Sequence, residues 1–526
     1  MALSRKEKDS RSEQALAPIP NAKPKQKDFA FIDLKFTKTG EFQDLKVKLV
    51  ELRDLLRSFG FVRYDLGKNF IYAKLYDKVI EEVSANQIID EFETWLNALP
   101  KKIEVGEDII EKKYLLNKIF NGLGTYFSDK ILARLRPDEP IVINADLHNN
   151  SFFYYENGYV LVTPESYTFK KYKDLNGYVW KNQILQREFK KLNIGEEVEP
   201  EDIKRIWGVF ADFCFKVAGQ SQERMLSLMS IIGYLLHNNT EGKRRAVILT
   251  DSALSDRAEG RTGKTLFGKG ISKMVNRSDD KSVYVELSGK DFDPTYKHKY
   301  QECTLDTRLV HLNDVTDYFQ FSHLYNDISE GISVNIKGNP IPLKVHAKML
   351  LSTNRTIKIE GASDRDRCIE FEFANYFSDK HSPEDEYKHW FFRDWNAAEW
   401  QLFDNFQILC TMVYLRLGIM KTKSINLERR KLMDYTNNDF VDWMDDLIRT
   451  NDMKLNTWYN VKTLNEQFLE MHTDYFKDKH HTQKRFNKWL QNYANYNDSI
   501  VSFNKEKHYK KLRDGYEFMF ELNPEQ

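Results

Sequence analysis

A run in the middle of the chain, Ala258-Glu259-Gly260-Arg261-Thr262-Gly263-Lys264-Thr265, has the residue types that could hold a phosphate chain. Its backbone N–H groups can wrap an anion, the Lys264 ammonium can reach terminal phosphate oxygens, and the Thr265 hydroxyl can ligate magnesium. Gly260, Arg261, Thr262, Gly263, Lys264 and Thr265 are therefore the expected binding residues, with ATP and Mg2+ as the expected ligands. Ala258 stands where the pattern has its first glycine, and Gly260 keeps the loop pliable.

Chemistry on a bound nucleotide needs an acid at the end of a neighbouring strand, and Leu309-Val310-His311-Leu312-Asn313-Asp314 offers Asp314 as metal ligand and water-polarising group. A second apolar run, Met349-Leu350-Leu351-Ser352-Thr353-Asn354, ends in an amide that could orient the attacking water. Arg365 and Arg367, just before Cys368 to Phe373, are the residues that could bring positive charge to the transition state from a neighbouring subunit.

These groups must be carried by strands that share one edge. Ala246-Val247-Ile248-Leu249 reads as a buried strand before the loop, and Leu266 to Val275 as the helix after it. Ser282 to Leu287, Leu309 to Leu312, Lys348 to Ser352 and Cys368 to Phe373 read as further strands of an α/β core. Helical spacing precedes this core at Ile203 to Val217 and Met225 to Leu236, and follows it at Phe391 to Leu417. Nearer the front, Leu45, Leu49, Leu52 and Leu56, then Val83 to Leu99 and Tyr114 to Leu132, have helical spacing. Ile141 to Ile143, Ser151 to Tyr155 and Tyr159 to Val162 form a small β element turning at Asn157-Gly158, while Asp146 and His148 suit a turn.

Four elements in this order, about fifty residues from Lys264 to Asp314 and about forty more to Asn354, resemble the ATPase core of superfamily 3 helicases, a branch of the AAA+ fold. The nearest resemblance is to the primase-helicases of phages, plasmids and other mobile elements. It rests also on Glu360-Gly361-Ala362-Ser363-Asp364-Arg365-Asp366-Arg367, Phe391-Phe392-Arg393-Asp394-Trp395, Glu399-Trp400 and Phe403-Asp404-Asn405, and covers roughly residues 225–410 well. It implies a homo-hexameric ring that hydrolyses ATP between subunits and draws one DNA strand through its centre, 3′ to 5′, on single-stranded or forked DNA, with primase or other replication proteins as partners. Lys264 and Thr265 would grip phosphate and magnesium, Asp314 would be the acid, Asn354 the polar sensor and Arg367, ahead of Arg365, the finger. A hairpin between acid and sensor would touch DNA through Lys337, backed by Lys344 or His346. The family usually has two successive acids; this chain has Asn313 and then Asp314, so Asp314 would serve alone.

The C-terminal hundred residues show helical spacing near Phe440 to Ile448, Val461 to Met471 and Thr482 to Tyr493, then short strands at Ile500 to Phe503 and Tyr516 to Phe520. Three helices and a hairpin suggest a winged helix. Between Lys477 and Arg513 ten basic residues face three acids, and Lys484, Arg485 and Lys488 share one helix face opposite the stripe Phe486, Trp489, Leu490 and Tyr493.

The 79 basic and 79 acidic residues cancel, which excludes a polycation that binds nucleic acid with its whole surface. The content of 35 Phe, 27 Tyr and 9 Trp excludes a disordered chain. Cys214, Cys303, Cys368 and Cys410 lack metal or disulfide spacing and read as reduced core residues. No apolar segment reads as a signal or membrane span, so an intracellular place is expected, and the resemblance implies the cytoplasm of a bacterial host.

The expected fold is thus an α/β AAA+ core of superfamily 3 type with a mainly helical N-terminal region and a C-terminal winged helix. Its expected divisions are a disordered tail (1–28), the helical region (29–140), a β element plus helical collar (141–240), the core (241–385), a helical extension (386–430) and the winged helix (431–526). An ATPase that loads or remodels nucleic acid without unwinding, and a weakly hydrolysing nucleotide-binding scaffold, are the two competing functions; Asn313 favours the second.

Overall fold

The computed structural model describes residues 29–526 except 68, 240–241, 255–260, 277–281, 317–318, 336–341, 360, 454–457, 478–480, 497–510, 513–514 and 520–526. The tail, Gly260, Lys337 and the Ile500 to Phe503 strand lie outside the described residues. The chain divides into two compact units: one runs to Asp146 and adds Phe152–Leu161 and Thr168–Phe189; the other takes the pieces between and Lys190–Gln526.

The first unit is built from short two-faced strands as much as from helices. In order come β1 (Ile32–Phe36), β2 (Phe42–Val47), α1 (Leu49–Ser58), β3 (Phe61–Leu66), β4 (Asn69–Tyr76), β5 (Val79–Val83), α2 (Ala85–Ala98), β6 (Lys102–Val105), β7 (Asp108–Glu111), α3 (Lys112–Asn121), α4 (Leu123–Tyr126) and α5 (Asp129–Leu132). The expectation of a mainly helical front end is corrected by these seven strands before residue 140. Leu45, expected as the first residue of a helical stripe, sits in β2, and the helix begins only at Leu49. Where helices do form, the sequence reason is plain: Ser84 and Gln87 make a reciprocal capping box at α2, which buries Ile88, Phe92 and Leu96. The hairpin expected at Asn157-Gly158 joins β8 (Ser151–Tyr155) to β9 (Gly158–Val162), and β10 (Tyr167–Lys170), β11 (Val179–Trp180) and β12 (Ile184–Leu185) follow. Ile141 to Ile143 makes a single bridge, Ile143 to Tyr178, instead of a strand. Asp146 accepts from the Phe152 N–H at 2.9 Å, which is a turn role.

In the second unit α6 (Ile203–Ile206), α7 (Val209–Val217) and α8 (Gln222–Leu236) lead into a five-stranded parallel sheet. Its strands are β13 (Ala246–Asp251), β14 (Tyr284–Ser288), β15 (Leu309–Asn313), β18 (Lys348–Ser352) and β19 (Cys368–Phe373), in the order β14-β15-β18-β13-β19. Between them run α9 (Lys264–Val275), α10 (Tyr325–Ser329), the antiparallel pair β16 (Ile332–Val334) and β17 (Leu343–Val345), and α11 (Gly361–Arg367). After β13 the chain leaves for the far edge and returns strand by strand, so β13 lies inside the sheet; sheets of this kind bind ligands outside the carboxyl ends of their strands.

α12 (Pro383–Tyr387), α13 (Ala397–Leu417) and α14 (Leu427–Tyr435) follow the sheet. The aromatic signature around residues 391–405 is packing: Phe392, Trp395, Trp400 and Phe403 form one ring cluster that reaches Phe210 of α7. Glu399 accepts from the Val209 N–H at 2.7 Å, which fixes the start of α7 against α13. The chain ends in α15 (Asn438–Arg449), β20 (Trp458–Asn460), α16 (Val461–Met471), α17 (Gln483–Tyr496), β21 (Lys511–Leu512) and β22 (Gly515–Met519), the last three strands forming an antiparallel sheet ordered β20-β22-β21. Phe486, Trp489, Leu490 and Tyr493 are buried, as their spacing requires, while Lys484, Arg485 and Lys488 are exposed. All four cysteines are free and buried. Among the described residues no helix is long and apolar enough to cross a membrane.

Candidate nucleotide site

The loop meets its helix at Gly263, whose φ of +103° belongs to the left-handed region. A Cβ there would stand 2.7 Å from the Phe213 ring, so glycine is demanded both by the turn and by the close approach of α7. α9 then starts at Lys264, which leaves the first backbone N–H groups of a twelve-residue helix without intrahelical partners at the loop. Thr265 is exposed beside them, and Arg261, also at positive φ, pairs with Asp379 at 3.1 Å on the surface.

Lys264 is buried and does not point into solvent. Its ammonium is bonded to Asp251, the last residue of β13, and lies 3.2 Å from the Thr262 hydroxyl, which also donates to Asp251. Burial lowers the Lys264 pKa below the ordinary lysine value, against the opposing pull of Asp251. The lysine is thus held by an internal carboxylate, which an anionic ligand of this ammonium would have to displace. The sequence pattern ends this strand at Leu249 and misses Asp251, because an aspartate after an apolar run looks like a strand-end cap; it is only 1% exposed.

Asp314 follows β15 directly, at φ +64°, a conformation that is sparse outside glycine, asparagine and aspartate. It is part-exposed and pairs with Lys290 at 2.6 Å. Asp314 is also among the charges felt by Lys264, as is Arg430 of α14. Asn354, just past β18, is half-buried, and its backbone carbonyl accepts from Arg430 at 3.0 Å. Arg430 donates as well to the carbonyl of Asp251, so one guanidinium ties the ends of β13 and β18 together. Two carboxylates of β19 hold α14 in place for it: Glu372 accepts from the N–H groups of Ile425 and Asn426, and Glu370 pairs with Lys431 at 2.6 Å. Arg430 escapes the sequence pattern because it sits in the run Arg429-Arg430-Lys431, which looks like a solvated face.

The remaining candidates stand apart from this cluster. Arg367 is held by its own chain, donating to Ser363 Oγ at 2.6 Å and to Ser329 Oγ at 3.2 Å with its guanidinium over the Tyr325 ring, while Arg365 is exposed. Lys344 is exposed opposite Ser333 in the β16–β17 hairpin, and His346 behind it bonds Arg244 at 2.8 Å. Lys337 lies outside the described residues.

Beside Asp314 an open cleft of about 920 Å³ runs between α9 and the edge strand β14, lined by Lys269, Lys273, Glu286, Lys290, Asn313 and Asp314. The Thr265 hydroxyl and the Asp314 carboxylate are hard oxygen donors, the kind that bind magnesium together with phosphate and water. The donor chemistry therefore fits Mg2+, although among the described residues no cluster of three or more metal-binding side chains exists to hold a cation without the nucleotide.

No family model and no curated protein matches this chain. Among solved structures it is similar to the A form apo structure of the NrS-1 C-terminal region, residues 305–718, with a TM-score of 0.40 and 12% identity over 90% of this chain and 98% of that one. A second apo structure of the same region gives a TM-score of 0.39 at 12% identity over 90% and 98% of the two chains.

Proposed function

We propose that this chain is an ATP hydrolase with an AAA+ core of the superfamily 3 type, working as a homo-hexameric, 3′ to 5′ DNA helicase in the replication of a phage, plasmid or other mobile element. The observation that carries the reading is the convergence of Lys264, Asp314 and Asn354 at the carboxyl edge of one parallel sheet, with Lys264 opening the helix after the loop. ATP would replace Asp251 as the partner of Lys264, its phosphates taking the free N–H groups at the start of α9. Bound Mg2+ would supply charge neutralisation between the phosphates, held by Thr265 and Asp314. Asp314 would polarise the attacking water, Asn354 would orient it, and Arg367 or Arg365 of a neighbouring subunit would meet the charge that develops. The three helices and small antiparallel sheet at the C-terminus support a winged-helix module that docks on DNA through Lys484, Arg485 and Lys488.

The direct test compares ATP hydrolysis by the native protein and Asp314→Asn, with and without single-stranded DNA. Asparagine tolerates the left-handed backbone at this position, so the fold survives the change. Hydrolysis should fall by about a hundredfold or more while ATP binding is retained, as expected for a lost water-activating group. A native protein whose hydrolysis ignores DNA would sink the helicase reading, and hydrolysis without displacement of a forked duplex would favour a loader or remodeller. A scaffold that binds ATP and hardly turns it over is the second reading, and the amide at Asn313 is what favours it.

For the C-terminal module, changing Lys484, Arg485 and Lys488 together to alanine should weaken DNA binding evenly across sequences. The slope of log K against log salt should shrink by about one for each phosphate that is no longer neutralised. Salt titrations that superimpose on the native curve would remove these residues from the interface.

A further inference from the structure

The cleft beside Asp314 contains a second carboxylate. Glu286, on β14, is exposed into it, and its Oε1 accepts from Nδ2 of Asn313 at 2.9 Å. Asn313 is the residue standing where a second acid was expected. Its contact with Glu286 is the outer end of a hydrogen-bonded chain that crosses three strands: Tyr284 Oη lies 2.7 Å from His311 Nδ1, His311 Nε2 lies 3.0 Å from Ser352 Oγ, and Ser352 Oγ lies 2.6 Å from Asn313 Oδ1.

The chemistry of the end groups fixes the direction of every hydrogen in this chain. An ionised carboxylate only accepts, so Asn313 must turn its NH2 to Glu286 and its Oδ1 to Ser352. Ser352 then donates to Asn313 and has its lone pairs left for His311 Nε2–H and for the Asp314 N–H, 3.3 Å away. His311 has one hydrogen to give when neutral, and burial drives its pKa down to about 3, so Nδ1 accepts from the Tyr284 hydroxyl. Burial pushes the Tyr284 phenol well above its ordinary value, which keeps that donor protonated. All four hydrogens run toward Glu286. The chain is walled off by α9 at Gly268, where a Cβ would meet Tyr284 Oη at 2.7 Å and His311 at 3.0 Å.

We propose that Glu286 supplies the second carboxylate of the nucleotide site and that Asn313 is a positioning residue that holds it there. This deepens the proposed ATPase reading and rests on it. The negative charge usually provided by two successive acids on one strand is here divided between Asp314 and the neighbouring edge strand, with Asn313 as the neutral link that keeps two carboxylates from meeting. The ligand class is a nucleoside triphosphate with its divalent cation, and Glu286 acts by accepting hydrogen bonds from the water that accompanies them.

The arrangement makes a swap testable, read by titration of a fluorescent ATP analogue with and without Mg2+ and by ATP hydrolysis, with thermal melting as the check on folding. Glu286→Gln keeps size and exposure, and should cut both the Mg2+-dependent gain in affinity and the hydrolysis rate by about tenfold or more, the usual scale for a group that orients a metal–water site. Asn313→Asp alone sets two carboxylates against each other and should also lose affinity and rate. The double variant Asn313→Asp with Glu286→Gln restores one acid and one amide in reversed order, and should recover both quantities to within about threefold of native, which a merely structural role cannot do. A Glu286→Gln protein that matches native in both readouts would overturn the inference while leaving the ATPase reading intact, and failure of the double variant to recover would overturn the pairing. A native protein that binds no ATP would overturn the ATPase reading and this inference with it.

Discussion

Asp251→Ala should destabilise the second unit by about 3–5 kcal/mol, the cost of stripping one partner from a buried ion pair. Asp251 is 1% exposed and Lys264 7%, so water cannot step in as a substitute, and the Thr262 hydroxyl loses its acceptor at the same time. The loss should depend on pH in a defined direction. Lys264 already has a lowered pKa because it is buried, and Asp251 is the strongest influence that raises it back. Removing Asp251 lowers the folded-state value further below that of the unfolded chain. The folded protein then sheds its proton before the unfolded one does, so stability must rise with pH across the interval between the two values. Urea unfolding of Asp251→Ala at pH 7 and pH 9.5 should show a smaller deficit at the higher pH. The double variant Asp251→Ala with Lys264→Ala, which leaves no orphaned charge, should be more stable at pH 7 than Asp251→Ala alone. Equal stabilities for the single and double variants would mean that the charge left on Lys264 costs the fold nothing at pH 7.

On the proposed ATPase reading, nucleotide binding must break this same pair. A lysine already satisfied by a carboxylate gains little from a weak anion, whereas a triphosphate offers several oxygens and the free N–H groups of α9 in one ligand. On that reading Asp251 would raise the threshold for binding a triphosphate. Arg430 adds to this by bonding the carbonyls of Asp251 and Asn354, so α14 is linked to both strand ends at once. A shift of α14 would be felt at the lysine and at Asn354 together.

The α/β core is legible in the sequence and the front of the chain is not, for a physical reason that shows in individual residues. Lys348 to Ser352 stands out with the bounds the structure has because a strand covered on both faces is a nearly continuous apolar run, and Cys368 to Phe373 does so by alternating apolar residues with Glu370 and Glu372. The first unit uses strands such as Ile32-Asp33-Leu34-Lys35-Phe36, with one apolar face and five residues of length, and these share their spacing with neighbouring helices. Leu45 and Leu49 are four apart, as on a helix, yet a strand ends and a helix begins between them. In the candidate site the places of Lys264, Thr265, Asp314 and Asn354 can be read because a loop and strand ends announce them, their roles being part of the proposal. Asp251, Glu286, His311 and Arg430 cannot: each is a polar residue with no motif of its own around it, and only the pairing of parallel strands brings Glu286 level with His311 and close to Asn313.

His311 should cost the second unit stability in acid. It is fully buried between Tyr284 and Ser352, beneath Gly268 of α9, with no carboxylate among these contacts to favour its charged form. Its pKa is driven from the ordinary 6.5 down to about 3 by burial alone. The sign follows from proton counting: below about pH 6.5 the unfolded chain takes up a proton here that the folded chain refuses, so stability is lost as pH falls from about 6.5 toward about 3. Each pH unit in that window removes about 1.4 kcal/mol, so about 2 kcal/mol is gone by pH 5 from this residue. His311→Gln cannot titrate and can still bridge a hydroxyl to Ser352, at some packing cost that is the same at every pH. Urea midpoints between pH 7.5 and pH 5 should therefore fall more steeply for native protein than for His311→Gln, by about 2 kcal/mol over the interval. Parallel lines would mean that His311 charges in the folded state, and the hydrogens from Tyr284 to Glu286 would then no longer run in one direction.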